Sequence, residues 1–421
     1  MSDSISYKND NLLISEYSFS VPLDYDDISL GKINIFAREV RSNSSNSKSL
    51  PYLVYFQGGP GYESPKPISN SGWIKRAIIS YRVLLLDQRG TGRSTPINSK
   101  LLTDDVSIGI KKVICFRADS IVKDAELIRQ ALIGNMKWAI LGQSFGGFCA
   151  VHYLSFYPES LLEVFITGGM PPVNQNVDNI YRKTYPRVKN KNNIFYETFP
   201  TAHENAKKIA NIIINNQIKL PNNEILTVER FQLLGLMLGF SDGMATLNYL
   251  METAIQNQHL AYSFLKNLQS VQTFDTNPIF TVLHEACYAE NFATKWSAHR
   301  MRSEFPEFNY SEANTFYFTG EMLYPWMLRQ IHELRPYEKI SNLIAEKKDW
   351  GKLYDKENLN RNEVPISAVI YTDDMYVDRD FSLSTSSGIN RLRIWETDLY
   401  QHNGLRSNGE IILDYLIKNL K

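Results

Sequence analysis

Ile140-Leu141-Gly142-Gln143-Ser144-Phe145-Gly146-Gly147 is the stretch of the chain that decides its fold. It has the pattern Gly-x-Ser-x-Gly, entered from the apolar run Trp138–Leu141 and left through a run with helical character, Phe148–Tyr157. A chain that reverses sharply between a strand and a helix needs small residues on both sides of the turn, and Gly142 and Gly146 supply them. The serine then lies at the top of a sheet, beside a helix N-terminus that favours developing negative charge. The stretch therefore predicts a nucleophile elbow.

Strand-like and helix-like segments alternate on both sides of this elbow. The run Asp119–Leu132 has the apolar spacing of a helix, with Asp119 or Ser120 as its expected cap. Such alternation predicts an α/β fold with a mostly parallel, doubly wound sheet. The segments expected to form its strands are Lys32–Val40, Tyr52–Phe56, Val83–Leu86, Trp138–Leu141, Val164–Thr167, Ile366–Tyr371 and Leu392–Trp395.

The middle of the chain has a different character. Residues 172–355 are rich in helix-forming, aromatic, Asn and Lys residues and contain few strand signals. We therefore expect an α/β core formed by residues 1–171 and 356–421, with an α-helical domain inserted at 172–355; the family resemblance described below implies that these are an α/β-hydrolase core and its cap domain. Helices are expected over Ala206–Gln217, Thr227–Leu238, Met244–Gln256 and, at the end of the chain, Gly409–Leu420.

The composition restricts the classes of function. The 421 residues include 45 basic and 45 acidic side chains, so the net charge is zero, which argues against nucleic acid or an anionic membrane as the main partner. No apolar run is long enough to span a bilayer, and residues 1–6 lack the features of a signal peptide. Cys115, Cys149 and Cys287 are isolated, which favours a reducing cytoplasm over a disulfide framework. The oligomeric state stays open, a homo-oligomer included.

A serine nucleophile needs a base and an orienting acid. In a doubly wound hydrolase sheet the order along the chain is Ser, then Asp or Glu, then His. Of the seven histidines, only His402 lies beyond the returning strand-like segments. Asp373 and Asp374 both follow one of these segments; either could be the acid, and we favour Asp374. The candidate catalytic residues are therefore Ser144, Asp374 and His402.

The negative charge that develops on an attacked carbonyl oxygen needs two backbone N–H donors. One belongs to the residue after the nucleophile, Phe145. The other comes from a loop that follows an earlier strand, and Gln57-Gly58-Gly59-Pro60-Gly61 follows such a strand here. We assign the second donor to Gly59, whose lack of a side chain lets its backbone face a ligand.

Three motifs together resemble the prolyl aminopeptidase (proline iminopeptidase) family, serine peptidases with an α/β-hydrolase fold and a helical cap. They are Gly-Gly-Pro-Gly at 58–61, Asp-Gln-Arg-Gly-x-Gly-x-Ser at 87–94 and Gly-Gln-Ser-Phe-Gly-Gly at 142–147. The larger subgroup of the family is similar in length and in the segments Thr319–Met322, Tyr324–Trp326, Asp373–Val377 and His402–Gly404. The chain departs from the smaller members at Gln57, where they carry histidine. The oxyanion donors are backbone groups, so this departure leaves the expected chemistry intact.

The resemblance implies an enzyme that releases an N-terminal proline from peptides. Ser144 attacks the carbonyl of the first residue and His402 shuttles the proton. Such an enzyme must hold a free α-ammonium and exclude longer N-terminal extensions, which calls for a carboxylate in a closed pocket. Glu321 is the first candidate and Glu285 the second. Aromatic walls for a proline ring are expected from Phe145, Tyr288, Tyr324 and Trp326.

Two other functions stay open. An esterase, or a peptidase that removes longer N-terminal units, would keep the triad without the amine-binding carboxylate. A catalytically silent binding protein on the same fold is disfavoured by the intact set of candidate residues. An epoxide hydrolase or dehalogenase is also disfavoured, because those enzymes use an aspartate where Ser144 stands. Labelling by a fluorophosphonate, which requires an activated serine, separates the enzymes from the silent protein.

No cofactor or metal is expected. The histidines and cysteines lack paired ligand spacing, so chelators should not inhibit. The motif at 87–94 lacks the terminal Gly-Lys-Ser/Thr of a phosphate loop. We expect its Asp87 and Arg89 to brace the loop behind the site.

Overall fold

The structure is a computed structural model that describes residues 5–98, 102 and 105–420. Residues 1–4, which form most of the segment that lacks signal-peptide features, lie outside the described residues, as do 99–101, 103, 104 and 421. Within the described ranges, no helix combines the length and the apolar character needed to cross a bilayer.

One sheet of nine strands organises the described chain, in the order β1-β2-β3-β5-β4-β6-β7-β10-β11. The first three strands and β5 pair antiparallel, whereas β5, β4, β6, β7, β10 and β11 run parallel. A separate ribbon pairs β8 with β9. The strands are β1 Ile5–Asn9, β2 Leu12–Pro22, β3 Lys32–Ser42, β4 Tyr52–Phe56, β5 Arg82–Asp87, β6 Trp138–Gln143, β7 Leu161–Thr167, β8 Ile255–Gln256, β9 His259–Leu260, β10 Ile366–Tyr371 and β11 Leu392–Thr397.

Helices fill the connections between the strands and the long stretch between β7 and β10. They are α1 Gly72–Ala77, α2 Val106–Ile114, α3 Ala118–Ile133, α4 Phe145–Phe156, α5 Val177–Thr198, α6 Ala202–Asn215, α7 Val228–Gln232, α8 Gly243–Glu252, α9 Tyr262–Val271, α10 Pro278–Leu283, α11 Ser297–Met301, α12 Met327–Gln330, α13 Glu338–Ala345, α14 Lys356–Asn360, α15 Arg379–Ser386, α16 Gly404–Ser407 and α17 Gly409–Asn419.

The central strands are apolar along their whole length because both faces of the sheet are covered. Alternate residues of β4 point to opposite faces, so Val54 and Phe56 join one core whereas Leu53 and Tyr55 join the other. Helices α3 and α4 cover the first face, and α1 and α17 pack together on the second. The expected fold class, an α/β fold with a mostly parallel, doubly wound sheet, is confirmed.

The strands expected from the sequence coincide closely with the observed ones, and β4 and β10 match residue for residue. Helix α3, by contrast, begins at Ala118 with Arg117 as its cap residue, so the expected cap at Asp119 or Ser120 is wrong. The expected helix Met244–Gln256 ends early, at Glu252. A two-stranded hairpin follows instead, in which Ile255–Gln256 pairs with His259–Leu260 and the turn residues Asn257 and Gln258 have positive φ angles.

The helical segment, residues 172–355, lies in the chain between β7 and β10. Its described elements are helices and the β8–β9 ribbon, and none of its residues joins the nine-stranded sheet. Its apolar side chains, such as Phe231 and Tyr185, belong to the same hydrophobic cluster as α3 and α4. The domain boundaries at residues 172 and 355 stay a prediction from the sequence.

Candidate active site

The carboxyl ends of four parallel strands bring the predicted site residues to one edge of the sheet. Ser144 follows β6, the glycine-rich loop 57–61 follows β4, Asp374 follows β10 and His402 follows β11. Parallel strands end at the same edge, which is where open α/β sheets bind their ligands. The fold therefore gathers residues that are up to 345 positions apart, from 57 to 402.

Ser144 occupies a strained turn between β6 and α4. Its backbone angles are φ 53° and ψ −125°, a region that side chains rarely adopt. The neighbouring glycines are required by close packing: a Cβ on Gly146 would lie 1.9 Å from the carbonyl oxygen of Phe56. The Ser144 N–H donates to the carbonyl of Thr167 at 3.0 Å, which fixes the turn against β7. The turn has the geometry of the predicted elbow.

A chain of hydrogen bonds joins Ser144, His402 and Asp374. His402 Nε2 lies 2.9 Å from Ser144 Oγ, and His402 Nδ1 lies 2.6 Å from Asp374 Oδ2. An ionised carboxylate only accepts hydrogen bonds, so Nδ1–H donates to Asp374 and Nε2 is left to accept the proton of the serine hydroxyl. All three side chains are buried. The arrangement is that of a nucleophile, a base and an orienting acid.

The backbone of the loop after β10 holds Asp374 in place. Its second oxygen, Oδ1, accepts from the N–H groups of Tyr376 at 2.8 Å and Val377 at 3.1 Å. The neighbouring Asp373 is exposed, and the hydrogen-bond partner of His402 Nδ1 is Asp374 instead. Of the two aspartates left open by the sequence, the structure brings Asp374 to His402.

The charge state of His402 depends on two opposing effects. Burial lowers the pKa of His402, but the Asp374 carboxylate, by its charge and its hydrogen bond, raises that pKa above the ordinary value on balance. Glu321 acts in the same direction. The two carboxyl groups thus favour the protonated form of the imidazole.

The loop after β4 packs directly against the nucleophile. A Cβ on Gly58 would lie 2.9 Å from Ser144 Cβ, and Gly59 has φ 130°. Such a conformation favours glycine. Within the part of the chain that the structure describes, the N–H groups of Gly59 and Phe145 donate to no other group. Both donors are therefore available to a ligand.

The loop at 87–94 is braced as expected. Asp87 accepts from the N–H groups of Ser64 at 3.1 Å and Arg93 at 2.9 Å. Arg89 makes two hydrogen bonds to the buried Asp124 of α3, at 2.7 and 2.6 Å. These contacts tie the end of β5 to the helix layer.

Glu321 lies on the triad side of the helical segment. It interacts electrostatically with both His402 and Asp374, and its side chain is 15% exposed. Burial raises the pKa of Glu321 to about 8. Among the described residues its nearest ion-pair candidate is His284, whose Nε2 lies 3.8 Å from Glu321 Oε2. Burial lowers the pKa of His284 to about 3, so that histidine is neutral.

Glu285, the second candidate, uses both carboxylate oxygens inside the protein. They accept from the N–H groups of Ser297 at 3.0 Å and Ala298 at 2.9 Å, at the start of α11. Burial raises the pKa of Glu285 to about 7. Glu285 thus fastens the first turn of a helix.

The predicted aromatic residues lie in different surroundings. Tyr288 is partly exposed and its ring meets Phe148 edge-on, with ring centroids 5.8 Å apart, and Phe148 in turn meets Phe145 at 6.3 Å. Tyr324 is completely buried and stacks on Trp326 at 5.5 Å. Tyr288 and Phe145 are thus linked near the nucleophile, whereas Tyr324 belongs to the packing of the helical segment.

Comparisons with known proteins identify the family. A family model described as the α/β hydrolase fold matches residues 51–208. The chain is 46% identical to a "Proline iminopeptidase" of Aeromonas sobria over 422 aligned positions, covering 99% of each protein. It belongs to the proline iminopeptidase family. This membership confirms the family and the enzyme class expected from the sequence.

Two further relatives carry the same family name. The "Proline iminopeptidase aneH" of Aspergillus aculeatus is 32% identical, over 96% of this chain and 92% of that protein. A "Proline iminopeptidase" of Saccharolobus solfataricus is 31% identical over 171 residues, which are 39% of this chain and 46% of that protein. The resemblance to the first of these again extends over nearly the whole chain, the helical segment included.

Three residues near this proline iminopeptidase-type site escaped the sequence-based reasoning. The ring of Tyr376 lies 4.6 Å from that of His402, between centroids, and Lys191 donates to Gln401, the residue before His402. His284 contacts Glu321, as described above. Tyr376 lies in the segment Asp373–Val377, and His284 directly precedes the candidate Glu285, so the sequence had already singled out their surroundings. Lys191 lies on a polar helix and has no such local signal. Among the described residues, no group of three or more His, Cys, Asp or Glu side chains is arranged to hold a metal.

Proposed function

We propose that the protein is a serine aminopeptidase that releases an N-terminal proline from peptides. One observation carries the proposal: Ser144, His402 and Asp374 form a continuous hydrogen-bonded chain, with distances of 2.9 and 2.6 Å, at the edge of the sheet where such enzymes act. The near full-length identity of 46% to a proline iminopeptidase supplies the substrate class.

The chemistry follows from the roles of the three side chains. Ser144 Oγ attacks the carbonyl carbon of the N-terminal residue while His402 Nε2 accepts its proton, and Asp374 stabilises the imidazolium. The tetrahedral intermediate collapses when His402 returns the proton to the leaving amine, which releases the shortened peptide. Water then attacks the acyl-enzyme with His402 as the base, and free proline leaves.

The oxyanion of each tetrahedral intermediate is proposed to bind the N–H groups of Gly59 and Phe145. Both groups lack an acceptor among the described residues, and Gly58 holds the loop against the Ser144 side chain. Phe145 is also the first residue of α4, whose N-terminus favours negative charge. Loss of one such donor typically costs about 100-fold or more in kcat.

Glu321 is proposed to bind the α-ammonium of the substrate. It lies near the triad, its side chain retains some exposure, and its charge is not neutralised by His284. A bound ammonium supplies the positive charge that stabilises the ionised carboxylate in this buried place. Glu285 stays the second candidate, although its two oxygens already accept from Ser297 and Ala298.

The proline ring is proposed to lie against aromatic side chains near the nucleophile. Phe145 and Tyr288 are linked to each other through Phe148 and are the strongest candidates. Tyr324 and Trp326 would contact the substrate only through the edge of their stacked pair, because Tyr324 itself is buried.

The helical segment, residues 172–355, is proposed to act as the cap of the active site. It contributes Glu321 and Tyr288, and it contacts both catalytic loops: Tyr376 donates to the carbonyl of Leu236, and Ser241 N–H donates to Asn403 at 3.0 Å. A cover of this kind excludes longer N-terminal extensions and thereby restricts the enzyme to the first residue.

A reducing compartment, the cytoplasm, is proposed as the place of action. Cys115, Cys149 and Cys287 are all free and buried, so none is joined in a disulfide. Activity of the purified enzyme should be the same with and without a thiol reductant, and cell fractionation should recover it with cytoplasmic markers.

The test compares three substrates on wild type and Ser144→Ala. They are a fluorogenic proline amide with a free amine, its N-acetylated form and a short-chain ester. Cleavage of the free-amine substrate alone, lost in the variant, is the expected result. Cleavage of the ester without the proline amide would assign the protein to the esterases, and absence of both activities together with no fluorophosphonate labelling would indicate a silent binding protein.

A further inference from the structure

Lys191 is a buried lysine that the proposed mechanism does not use. It lies on α5 in the helical segment, and only 4% of its surface is exposed. Its ammonium donates to Gln401 Oε1 at 2.6 Å, and among the described residues it forms no ion pair with a carboxylate. Burying a charge without a counterion is costly, and an apolar side chain at this place would avoid that cost. The cost of burying this charge therefore suggests that Lys191 has a functional role.

The contact of Lys191 places it beside the catalytic histidine in the chain. Gln401 immediately precedes His402, in the loop between β11 and α16. The residue after the histidine, Asn403, is also held by the helical segment: it accepts from Ser241 N at 3.0 Å and donates to Ser241 Oγ at 3.2 Å. The His402 loop is thus fixed on both sides of the histidine by residues of the helical segment.

The positive charge of Lys191 acts electrostatically on Asp374, the acid of the triad. Lys191 interacts electrostatically with Asp374, with the exposed Asp373 and with Arg187 on the same helix. Burial lowers the pKa of Lys191, whereas the two aspartates act in the opposite direction. The other ionisable residues beside His402 are Glu321, which interacts with it electrostatically, and Tyr376, whose ring lies 4.6 Å from the imidazole while its hydroxyl donates to Leu236.

We propose that Lys191 is a positioning residue for the reaction, which holds the His402 loop through Gln401 and sets a positive charge against the Asp374–His402 pair. The inference rests on the proposed roles of Ser144, Asp374 and His402. A positive charge near Asp374 opposes formation of the imidazolium on His402. On this proposal Lys191 acts through Asp374: it weakens the hold of that carboxylate on the imidazolium, limits the rise in the pKa of His402 and keeps the imidazole neutral, as the base must be, near neutral pH.

The sign of the effect follows from this arrangement. When the charge of Lys191 is removed, the pKa of His402 rises, so a higher pH is needed to keep the imidazole neutral. The acidic limb of the pH–rate profile therefore moves to higher pH. A residue that only anchored α5 would change stability without moving that limb.

The experiment uses Lys191→Met, which keeps the length of the side chain without its charge. The matched control is Lys183→Met on the same helix, since Lys183 is exposed and pairs with Asp380 at 3.0 Å. The main readout is the rate of labelling by a fluorophosphonate between pH 5 and 9, which reports the activation of Ser144 whatever the natural substrate. Turnover of the proline amide separates kcat from KM, and thermal melting checks the fold.

For Lys191→Met we expect an acidic limb moved upward by about 0.5 to 1 pH unit, as expected for loss of one partly screened charge. At pH 7 kcat should fall about five- to tenfold with KM within about twofold, because a residue that positions the base acts on the chemical step. Lys183→Met should match wild type. A second variant, Lys191→Gln, removes the charge but keeps a polar side chain, and should move the limb in the same direction, which keeps the test decisive if Lys191→Met does not fold.

The outcomes separate this inference from the proposed function. A wild type that is not labelled at all overturns the proposed triad. A labelled wild type whose acidic limb is unmoved by Lys191→Met and by Lys191→Gln overturns the role of Lys191 alone. An equal shift in Lys183→Met, or a change confined to KM, would also overturn it.

Discussion

The carboxylate of Glu321 lies 3.8 Å from Nε2 of His284, yet the two side chains do not form an ion pair at neutral pH. Burial lowers the pKa of His284 to about 3 and raises that of Glu321 to about 8. The histidine is therefore uncharged, and the glutamate holds a proton until a positive charge reaches it. A substrate ammonium is the group that the proposed function brings there.

Glu321→Gln should weaken binding of substrates with a free amine. Without the carboxylate the ammonium is buried against a neutral amide, so KM for a proline amide should rise about 30-fold or more, which corresponds to the roughly 2 kcal/mol or more that truncating one partner of a buried charge pair costs. At neutral pH the fluorophosphonate labelling rate should change little, because Glu321 holds a proton there and is replaced by another uncharged group. Steady-state kinetics on the amide, beside labelling, provide the measurement.

Glu285→Gln serves as the matched control for that variant. It makes the same chemical change on a carboxylate whose oxygens fasten the start of α11. We expect a loss of stability of about 1 to 2 kcal/mol from the weakened hydrogen bonds, and a KM close to wild type. If Glu285→Gln raised KM while Glu321→Gln did not, the two assignments would have to be exchanged.

The same two glutamates should make the protein less stable as the pH rises above neutrality. A carboxyl group whose pKa is higher in the folded than in the unfolded protein adds stability that is fully present below the unfolded pKa, here 4.5. That stability is lost as the pH rises through the folded pKa, which is about 7 for Glu285 and about 8 for Glu321. Between pH 6.5 and 8 the free energy of unfolding should therefore decrease.

Urea denaturation at several pH values measures this dependence. The double variant Glu285→Gln, Glu321→Gln should show a flatter curve over the same range, because neither amide titrates. His152 and His284, whose folded pKa values are lowered to about 4 and about 3, have the opposite effect near pH 6.5, where unfolded histidines titrate; both variant and wild type contain them, so their contribution cancels in the comparison. Parallel curves for wild type and variant would contradict the raised pKa values.

Those parts of the site that depend on local sequence could be predicted. The elbow is specified by glycines two positions from Ser144 and by apolar runs on either side, all within a few residues. His402 could be selected because only one histidine follows the last strands. The sequence favoured Asp374 and left Asp373 open, because adjacent residues of one loop give no local signal of which carboxylate reaches the histidine; in the structure Asp374 Oδ2 lies 2.6 Å from His402 Nδ1.

Contacts between distant segments could not be predicted. The partners of Glu285 lie 12 and 13 residues further along the chain, and Lys191 reaches a loop 210 residues away. A lysine on a polar helix is usually exposed, so nothing in the sequence marks Lys191 as buried. Helix α8 ends at Glu252 and is followed by the β8–β9 hairpin, whose turn residues Asn257 and Gln258 have positive φ angles; helical spacing alone did not show this hairpin.

The strained backbone of Ser144 should cost stability that glycine recovers. At φ 53° and ψ −125° any side chain is unfavourable, whereas glycine adopts such angles readily. Ser144→Gly should therefore be more stable than Ser144→Ala by about 1 kcal/mol, the lower end of the cost of such strain. Both variants are inactive, so thermal melting compares them without regard to turnover. Equal melting temperatures would show that the turn stores no strain.

The buried pair of Arg89 and Asp124 should be essential for folding, although it lies away from the chemistry. Both side chains are at most 1% exposed, and Arg89 also donates to the carbonyls of Leu23 at 2.8 Å and Cys115 at 2.6 Å. Asp124→Asn removes the counterion and leaves a buried guanidinium, which should cost about 3 to 5 kcal/mol.

An exposed ion pair of the same type is the matched control for the buried pair of Arg89 and Asp124. Arg182 and Glu304 are also joined by two hydrogen bonds, at 2.8 and 2.7 Å, but their side chains are 45% and 41% exposed. Glu304→Gln should leave the denaturation midpoint nearly unchanged, because solvent screens the lost charge. A large loss in Asp124→Asn beside a negligible one in Glu304→Gln is expected by urea denaturation. Similar losses would mean that burial does not decide what these pairs contribute.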